Sequence, residues 1–300
     1  MSTDTHAARP SKTVSMVWII IAYIACCGAA ALWLYNGPST GSLLLDSFVA
    51  DVIATVVIFI FSRVFKNSSF YDAYWSVIPP LFLLYWWDVA GHGNETRYLL
   101  ISLVVWYWAI RLTWNWAKHW EGLNHEDWRY PIVRDRFPKL AIFSDFFGVH
   151  FFPTVQVFLG LLPAYACLTL SQAEPGILDY IATAIGITAV TIQLIADRQL
   201  HQFIAYRKPG QIIDQGLWSW SRHPNYFGEI SFWASLALFG LAAWPQGWWW
   251  QIIGFVAMLV MFVTASIPLM ETRSLERRPQ YQDIIDRVSV LVPLPPKPKR

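Results

Sequence analysis

Residues 248–270 read WWWQIIGFVAMLVMFVTASIPLM and contain no charged side chain. A helix needs about 20 apolar residues to cross the hydrocarbon core of a bilayer, and this stretch has that length. Seven further stretches are similarly apolar, and they are residues 16–35, 43–65, 74–90, 98–116, 146–170, 177–196 and 229–243. The sequence therefore predicts an all-α, polytopic transmembrane helix bundle with about seven or eight spans.

The composition agrees with a protein that is partly solvated by lipid. Hydrophobic residues make up 55% of the chain and charged residues 14%, whereas soluble domains carry about 25% charged residues. The net charge of +2 gives no electrostatic basis for binding nucleic acid. The three cysteines lie inside apolar stretches, so we expect them to pack rather than to hold a metal. We expect membrane lipids as partners, and neither nucleic acid nor metal.

The basic residues predict the orientation in the membrane. With eight spans, all of the 22 Lys and Arg residues except Arg97 fall on one set of loops. Cytoplasmic loops are enriched in Lys and Arg. The sequence therefore predicts a multi-pass integral membrane protein with both termini in the cytoplasm.

One cytoplasmic stretch, residues 197–229, is unusually rich in polar residues that can bind ligands. Pro209 and Gly210 favour a tight turn, and Pro224 can set the first turn of a helix whose N–H groups favour anions. Arg207 and Lys208 add capacity to bind phosphate. The candidate residues of this stretch are Asp197, Arg207, Lys208, Arg222, His223, Asn225, Tyr226 and Glu229.

Two explanations of this stretch differ in what they account for. A basic loop that binds anionic lipid head groups explains its Arg and Lys residues. It does not explain Asp197 and Glu229, which are costly in lipid without a partner. A polyanionic ligand with flat rings explains both kinds of residue. The sequence has neither a Gly-x-Gly-x-x-Gly turn after a strand nor a Walker loop, so we expect no Rossmann or P-loop fold.

Several motifs resemble a known family. The sequence SRHPNYFGE at 221–229, with RKPG at 207–210 and GLW at 216–218, resembles the C-terminal half of the steroid 5α-reductase superfamily. YDAYW at 71–75, EDWRY at 126–130 and METRSLERRPQY at 270–281 are similar to a bacterial branch of it without assigned function. The resemblance implies N-terminal transmembrane helices in residues 1–70 and a reductase-like domain with cytoplasmic cofactor loops in 71–300. It also implies a bacterial inner membrane.

The resemblance implies NADPH-dependent reduction of an activated C=C bond in a steroid-like or other lipid enone. It assigns cofactor binding to the candidates of residues 197–229 and, in the C-terminal motif, to Glu271 and Arg273. The steroid enzymes hold the substrate carbonyl with a Gln-Glu pair and a Tyr, and this sequence has no Gln-Glu pair. Tyr74 and Asp72 are the nearest substitutes as catalytic residues. Tyr74 is the better donor, because a neutral phenol can donate a proton at neutral pH.

Two alternatives to the reductase remain. Isoprenylcysteine carboxyl methyltransferases share the Arg-His-Pro-x-Tyr-x-Gly frame and bind S-adenosylmethionine there. Asn225 and the RKPG sequence favour the reductase, since a dinucleotide with a 2′-phosphate needs more cations than the carboxylate of a methyl donor. A non-enzymatic lipid-binding membrane protein is the second alternative.

Overall fold

The computed structural model of the chain describes residues 11–91 and 93–298. It is 78% helix, and no strand occurs in the described residues, so the predicted all-α class is confirmed. The α-helices are α1 (Lys12–Asn36), α2 (Leu43–Val64), α3 (Tyr74–Val89), α4 (Glu95–His119), α5 (Arg129–Asp135), α6 (Ala141–Asp145), α7 (Phe152–Gly160), α8 (Leu162–Thr169), α9 (Ile177–Tyr206), α10 (Pro224–Ala243), α11 (Trp248–Gln251), α12 (Ile253–Met261), α13 (Ile267–Arg277) and α14 (Gln282–Arg287).

Six helical segments among the described residues are long and apolar enough to cross a membrane. They are Lys12–Asn36, Leu43–Val64, Pro138–Gly160, Ile177–Tyr206, Pro224–Ala243 and Pro245–Arg277. Two predicted spans are missing from this set. Helix α3 has only 16 residues, and α4 carries Tyr, Trp and Arg side chains that reduce its mean hydropathy. The number of spans and the topology therefore stay predictions.

The fifth predicted span differs most from the observed helices. The sequence predicts one run over 146–170, whereas the continuous helical segment begins at Pro138 and ends at Gly160. Helix α8 then starts anew at Leu162, one residue before Pro163. Proline lacks the N–H group that a continuing helix needs, which explains why the run is divided here. Residues 146–151 are wound as a π-helix.

The chain forms two compact units. The first contains the residues up to Leu84 and Leu112–Phe158, and in it α1 packs along α2. The second contains Tyr85–Arg111 and the residues from Leu159 onward, and in it α10 packs against α8, α9 and α12. Helices α3, α4 and α7 contribute residues to both units. The division predicted after residue 70 stays a prediction.

Helices α9 and α10 approach closely in the second unit because a glycine lies at their contact. A Cβ atom added to Gly228 would lie 2.7 Å from the carbonyl oxygen of Ala189. Such a contact with rigid backbone leaves no room for any side chain larger than hydrogen. The close approach brings the first two turns of α10 against the second half of α9.

Arg97, the exception to the charge bias, is buried in the second unit. Its Nε donates to Asp179 Oδ1 at 2.8 Å and its Nη1 donates to the Ala173 carbonyl at 2.7 Å. The residue is 1% exposed. A buried and paired arginine adds no net charge to the loops on its side, so Arg97 does not weaken the bias that predicts the topology.

Candidate functional site

A buried group of charged and polar side chains, the carboxylate cluster, joins α4, α9 and α10 in the second unit. It consists of Arg111, Gln193, Asp197 and Glu229. The guanidinium of Arg111 donates to Asp197 Oδ2 at 2.8 Å, and its Nη2 lies 3.6 Å from Glu229 Oε2. The same Nη2 donates to Gln193 Oε1. All four residues are buried. One cation therefore faces two carboxylates, an arrangement that is costly to bury without further partners.

Two tryptophans complete the surroundings of Glu229. Trp108 Nε1 donates to its carboxylate at 3.1 Å, and Trp233 Nε1 donates at 3.0 Å. The indole of Trp108 also stacks on Phe232 with ring centroids 4.6 Å apart. Glu229 is thus held in one position by aromatic donors. The rings of Trp108, Phe232 and Trp233 are themselves buried.

The carboxylate cluster contains two hydrogen-bond donors that have no acceptor in the described residues. Gln193 Nε2 and Arg111 Nε are buried and have no acceptor among residues 11–91 and 93–298. Buried donors without acceptors cost about 1–3 kcal/mol each, so they mark a place where an additional acceptor would stabilise the protein. A bound ligand that brings acceptor atoms fits this requirement.

A second group, the Arg222 clamp, lies at the start of α10. Arg222 Nε donates to Glu271 Oε1 on α13 at 2.6 Å, and His223 Nε2 lies 3.2 Å from the same oxygen. The ring of Tyr226 stacks on His223 with centroids 5.3 Å apart. Four residues that the sequence assigned to the cofactor are therefore in mutual contact.

The Arg222 clamp holds the C-terminal segment of the chain. Arg222 Nη1 donates to the carbonyls of Ile285 and Val288 at 2.9 and 2.7 Å. The Ser221 hydroxyl donates to the Leu291 carbonyl at 2.7 Å. The resemblance assigns Arg222 to cofactor binding, and that assignment stays a prediction. The donors named here serve the chain itself, because the C-terminal segment returns to α10, which no local pattern reveals.

A third group, the cationic pocket, lies where the loop after α9 meets the end of α13. The pocket has a volume of about 380 Å³ and is lined by Arg207, Lys208, Pro209, Gly210, Gln211, Arg277 and Arg278. No acidic side chain is among these described lining residues. Burial lowers the pKa of the Arg278 guanidinium, and the positive charge of Arg207 adds to the effect. Cations held this close without an acid favour an anionic ligand.

The backbone of the cationic pocket is fixed by a turn and by side-chain amides. Gln211 N donates to the Lys208 carbonyl at 3.1 Å, and Gly210 has φ +83. This is the turn that Pro209 followed by Gly210 predicts. Gln280 Nε2 donates to the Gly210 carbonyl at 2.8 Å. The loop is therefore tied to the segment after α13 before any ligand binds.

The two predicted catalytic residues have separate partners in the first unit. Tyr74 is buried at the start of α3, and its hydroxyl donates to Asp51 Oδ1 at 2.7 Å. Asp72 precedes α3 and accepts from Tyr130 Oη at 2.5 Å and from Trp116 Nε1 at 3.3 Å. Burial raises the pKa of Asp72 to about 6. Asp72 thus lies just before α3, as the predicted stretch 74–90 implies.

Sequence reasoning found part of each group and missed the partners. It singled out Asp197 and Glu229 but not Arg111, Gln193, Trp108 or Trp233. It named Arg207 and Lys208 but not Arg277 and Arg278, which stood in the C-terminal motif. It named Tyr74 but not Asp51. Asn225 accepts from the Tyr226 backbone N–H at 3.1 Å, and Arg273 is half-buried on α13, two residues after Glu271.

Comparisons with known proteins place the chain in a family without assigning a reaction. Residues 58–288 match the sequence model of a family described as a protein of unknown function, DUF1295. An uncharacterized protein of Schizosaccharomyces pombe is 26% identical over 285 residues, which cover 86% of this chain and 81% of that protein. No solved structure matches the chain. The family match includes the carboxylate cluster, the Arg222 clamp, the cationic pocket and Tyr74.

Proposed function

We propose that this chain, which belongs to the DUF1295 family of proteins of unknown function, is an NADPH-dependent oxidoreductase of a bacterial inner membrane. Its substrate is a steroid-like or other lipid enone, whose activated C=C bond it reduces. The observation that carries the proposal is the cationic pocket of Arg207, Lys208, Arg277 and Arg278. The similarity of residues 207–229 to the steroid 5α-reductase superfamily supports the same reading.

The cationic pocket fits the phosphates of NADPH. A 2′-phosphate and a pyrophosphate together carry several negative charges, and four cations without a lining acid match them. S-adenosylmethionine offers a single carboxylate and a positively charged sulfonium, which four cations would repel. The charge of the pocket therefore favours the dinucleotide over the methyl donor.

The carboxylate cluster fits the uncharged parts of the cofactor. Gln193 Nε2 and Arg111 Nε can donate to acceptors such as a ribose hydroxyl or a carboxamide oxygen. The carboxylates of Asp197 and Glu229 can accept from a ribose hydroxyl or an amide N–H. The bound cofactor would supply the hydride. The protein would supply its position and a site away from water.

In the first unit, Tyr74 is the proposed proton donor to the substrate carbonyl. Its hydroxyl is buried beside Asp51 and Thr55, and a hydrogen bond to a developing enolate oxygen is strong in a site away from water. Asp51 Oδ1, at 2.7 Å, fixes the direction of that hydroxyl. Asp51 is therefore a positioning residue that stands in place of the absent Gln-Glu pair. Asp72 stays the second candidate acid, although Tyr130 and Trp116 already occupy its carboxylate.

Binding of nucleotides to the purified protein in nanodiscs tests the proposal. We expect NADPH to bind more tightly than NADH. Arg207→Ala and Arg278→Gln should each weaken the binding of NADPH by about 10- to 100-fold, because each removes charge-assisted bonds of about 1.5–3 kcal/mol. Asn225→Ala should weaken it less. Arg198→Ala, an exposed cation on α9 outside the pocket, is the matched control and should bind NADPH like the wild type.

The same experiment distinguishes the alternatives. Tight binding of S-adenosylmethionine with none of NADPH would overturn the reductase in favour of a methyltransferase. Binding of neither would leave a lipid-binding membrane protein. Wild-type NADPH affinity in both Arg207→Ala and Arg278→Gln would remove the cofactor from the cationic pocket.

A further inference from the structure

Residues 132–147 of the first unit, the interface segment, expose several large apolar side chains. Each of six is at least 50% exposed, and they are Ile132, Phe137, Leu140, Ile142, Phe143 and Phe147. Four of them belong to Pro138–Gly160, which is apolar enough to cross a membrane, and lipid explains their exposure. Ile132 and Phe137 precede that segment, in a stretch that the sequence assigned to a cytoplasmic loop, and they call for a cover of their own.

The interface segment is held in a defined orientation by its polar side chains. Arg134 forms an ion pair with Glu126 and lies 3.5 Å from Asp145. Asp145 is 1% exposed and accepts from the Ser68 hydroxyl at 2.9 Å. The anchored polar groups point inward, so the six apolar side chains are left on the outer surface by the fold and not by fraying.

The exposed charges of the interface segment indicate what covers its apolar side chains. Arg136 and Lys139 are exposed between the apolar side chains, and neither forms an ion pair with another described residue. Asp135 is the exposed acid of the segment, so the exposed cations outnumber it. Long cationic side chains among aromatic and aliphatic ones are typical of helices that lie in the head-group region of an anionic membrane.

The position of the interface segment in the chain fits a membrane surface as well. Its second half belongs to Pro138–Gly160, a helical segment long and apolar enough to cross a bilayer. Helix α5, whose last residues begin the segment, is too short to span. The interface segment therefore lies at the point where the chain enters the hydrocarbon core.

We propose that the interface segment lies in the head-group region of the bilayer and binds anionic lipid. Its six apolar side chains insert below the phosphates, and Arg136 and Lys139 bind the phosphates of the lipid. This inference goes beyond the proposed oxidoreductase and does not depend on it. The alternative is that a second copy of the chain covers these side chains, and the experiment distinguishes a second copy from lipid.

Spin labels in nanodiscs test the depth of the interface segment. The labels are placed at Phe137→Cys and Phe143→Cys in a full chain whose three native cysteines are replaced by alanine. We expect both labels to be accessible to oxygen and shielded from a water-soluble nickel chelate, at about 5–10 Å below the phosphates. Gln282→Cys, exposed on α14, is the control and should meet the nickel chelate. Nickel access at both test positions, or spin–spin broadening between copies, would overturn the proposal.

Thermal unfolding in nanodiscs with and without phosphatidylglycerol tests the choice of lipid. We expect phosphatidylglycerol to raise the midpoint of the wild type, because the lipid binds the folded state. The double variant Arg136→Gln with Lys139→Gln should lose most of that rise. Lys118→Gln with Lys297→Gln removes the same charge from exposed sites elsewhere and should keep it. No rise in the wild type, or an undiminished rise in the first double variant, contradicts the proposal.

Discussion

The hydroxyl of Tyr74 has one proton, and in the folded chain that proton points at a carboxylate oxygen of Asp51. Thr55 Oγ1 lies 3.3 Å from the same hydroxyl and can donate to it. To serve another acceptor, the hydroxyl must give up its bond to Asp51. Asp72 acts as an acceptor. Its carboxylate accepts from two side chains and, while it is ionised, has no proton to donate.

Tyr74→Phe removes the proposed donor and leaves the ring in place. We expect turnover to fall by about a hundredfold or more, as is typical when a general acid is lost, while the affinity for NADPH is kept. NADPH oxidation measured with a panel of lipid enones, beside a cofactor titration, checks this. Tyr107→Phe loses a hydroxyl that pairs with Thr191 in the second unit and should turn over normally. Turnover of Tyr74→Phe at the wild-type rate would place the donor elsewhere, with Tyr71 and Tyr130 the next candidates.

Asp72 should give the folding free energy a pH dependence. Its pKa is about 6 in the folded chain, mainly because it is buried, against an ordinary value of 3.8. The folded state therefore binds the proton more tightly, and this contribution is complete below about pH 4 and lost as the pH rises through about 6. The free energy of unfolding should fall over that range by up to about 3 kcal/mol. Asp72→Asn in detergent should lack this fall. If Asp72→Asn and the wild type have the same dependence of unfolding free energy on pH, the Asp72 carboxyl does not contribute the expected fall.

At the scale of elements, the contact of α9 with α10 determines the second unit. Asp197 lies near the C-terminal end of α9, and Glu229 lies in the second turn of α10. Because both helices meet at Gly228, the two carboxylates come within reach of one arginine on α4. The Arg222 clamp then joins the first turn of α10 to α13 and to the C-terminal segment. The residues of the proposed cofactor site are thus positioned by contacts between helices.

Gly228→Ala tests that contact. The new methyl group would meet the Ala189 carbonyl at 2.7 Å, so the helices must separate, at a cost typical of overpacking, about 1–3 kcal/mol. We expect a lower unfolding midpoint and weaker NADPH binding. Gly28→Ala is the matched control, because a Cβ there has no atom within 4 Å and alanine favours a helix. A midpoint for Gly228→Ala equal to that of Gly28→Ala would show that the contact tolerates the methyl group.

At the scale of the whole molecule, the distribution of charge predicts how the protein lies in the membrane. The three groups of the second unit occur around the ends of α9 and α13 and the start of α10, all of which the charge bias assigns to the cytoplasm. Soluble NADPH would reach such groups from that side. The charge bias and the proposed cofactor therefore require the same orientation.

Labelling of intact cells with a membrane-impermeant maleimide tests the orientation. Gln172→Cys, exposed in the loop before α9, should react from outside, whereas Gln282→Cys, exposed on α14, should react only after lysis. The wild type is the control for reaction of the native cysteines, of which Cys26 and Cys167 are buried. The reverse pattern would place the cofactor groups on the outer side and rule out a cytoplasmic nucleotide.

The sequence by itself determined that this is an all-helical membrane protein, because the apolar length of a span is a local property that needs no partner. It also marked Asp197, Glu229, Arg207 and Lys208, since charged residues beside apolar helices are costly to place near lipid unless a partner is available. Only the tertiary structure decided which side chains Asp197 and Glu229 contact. Arg111 and Asp197 are 86 positions apart, and Arg222 and Glu271 are 49 apart. Such pairs depend on which faces of the helices meet, and the packing of several helices at once determines those faces.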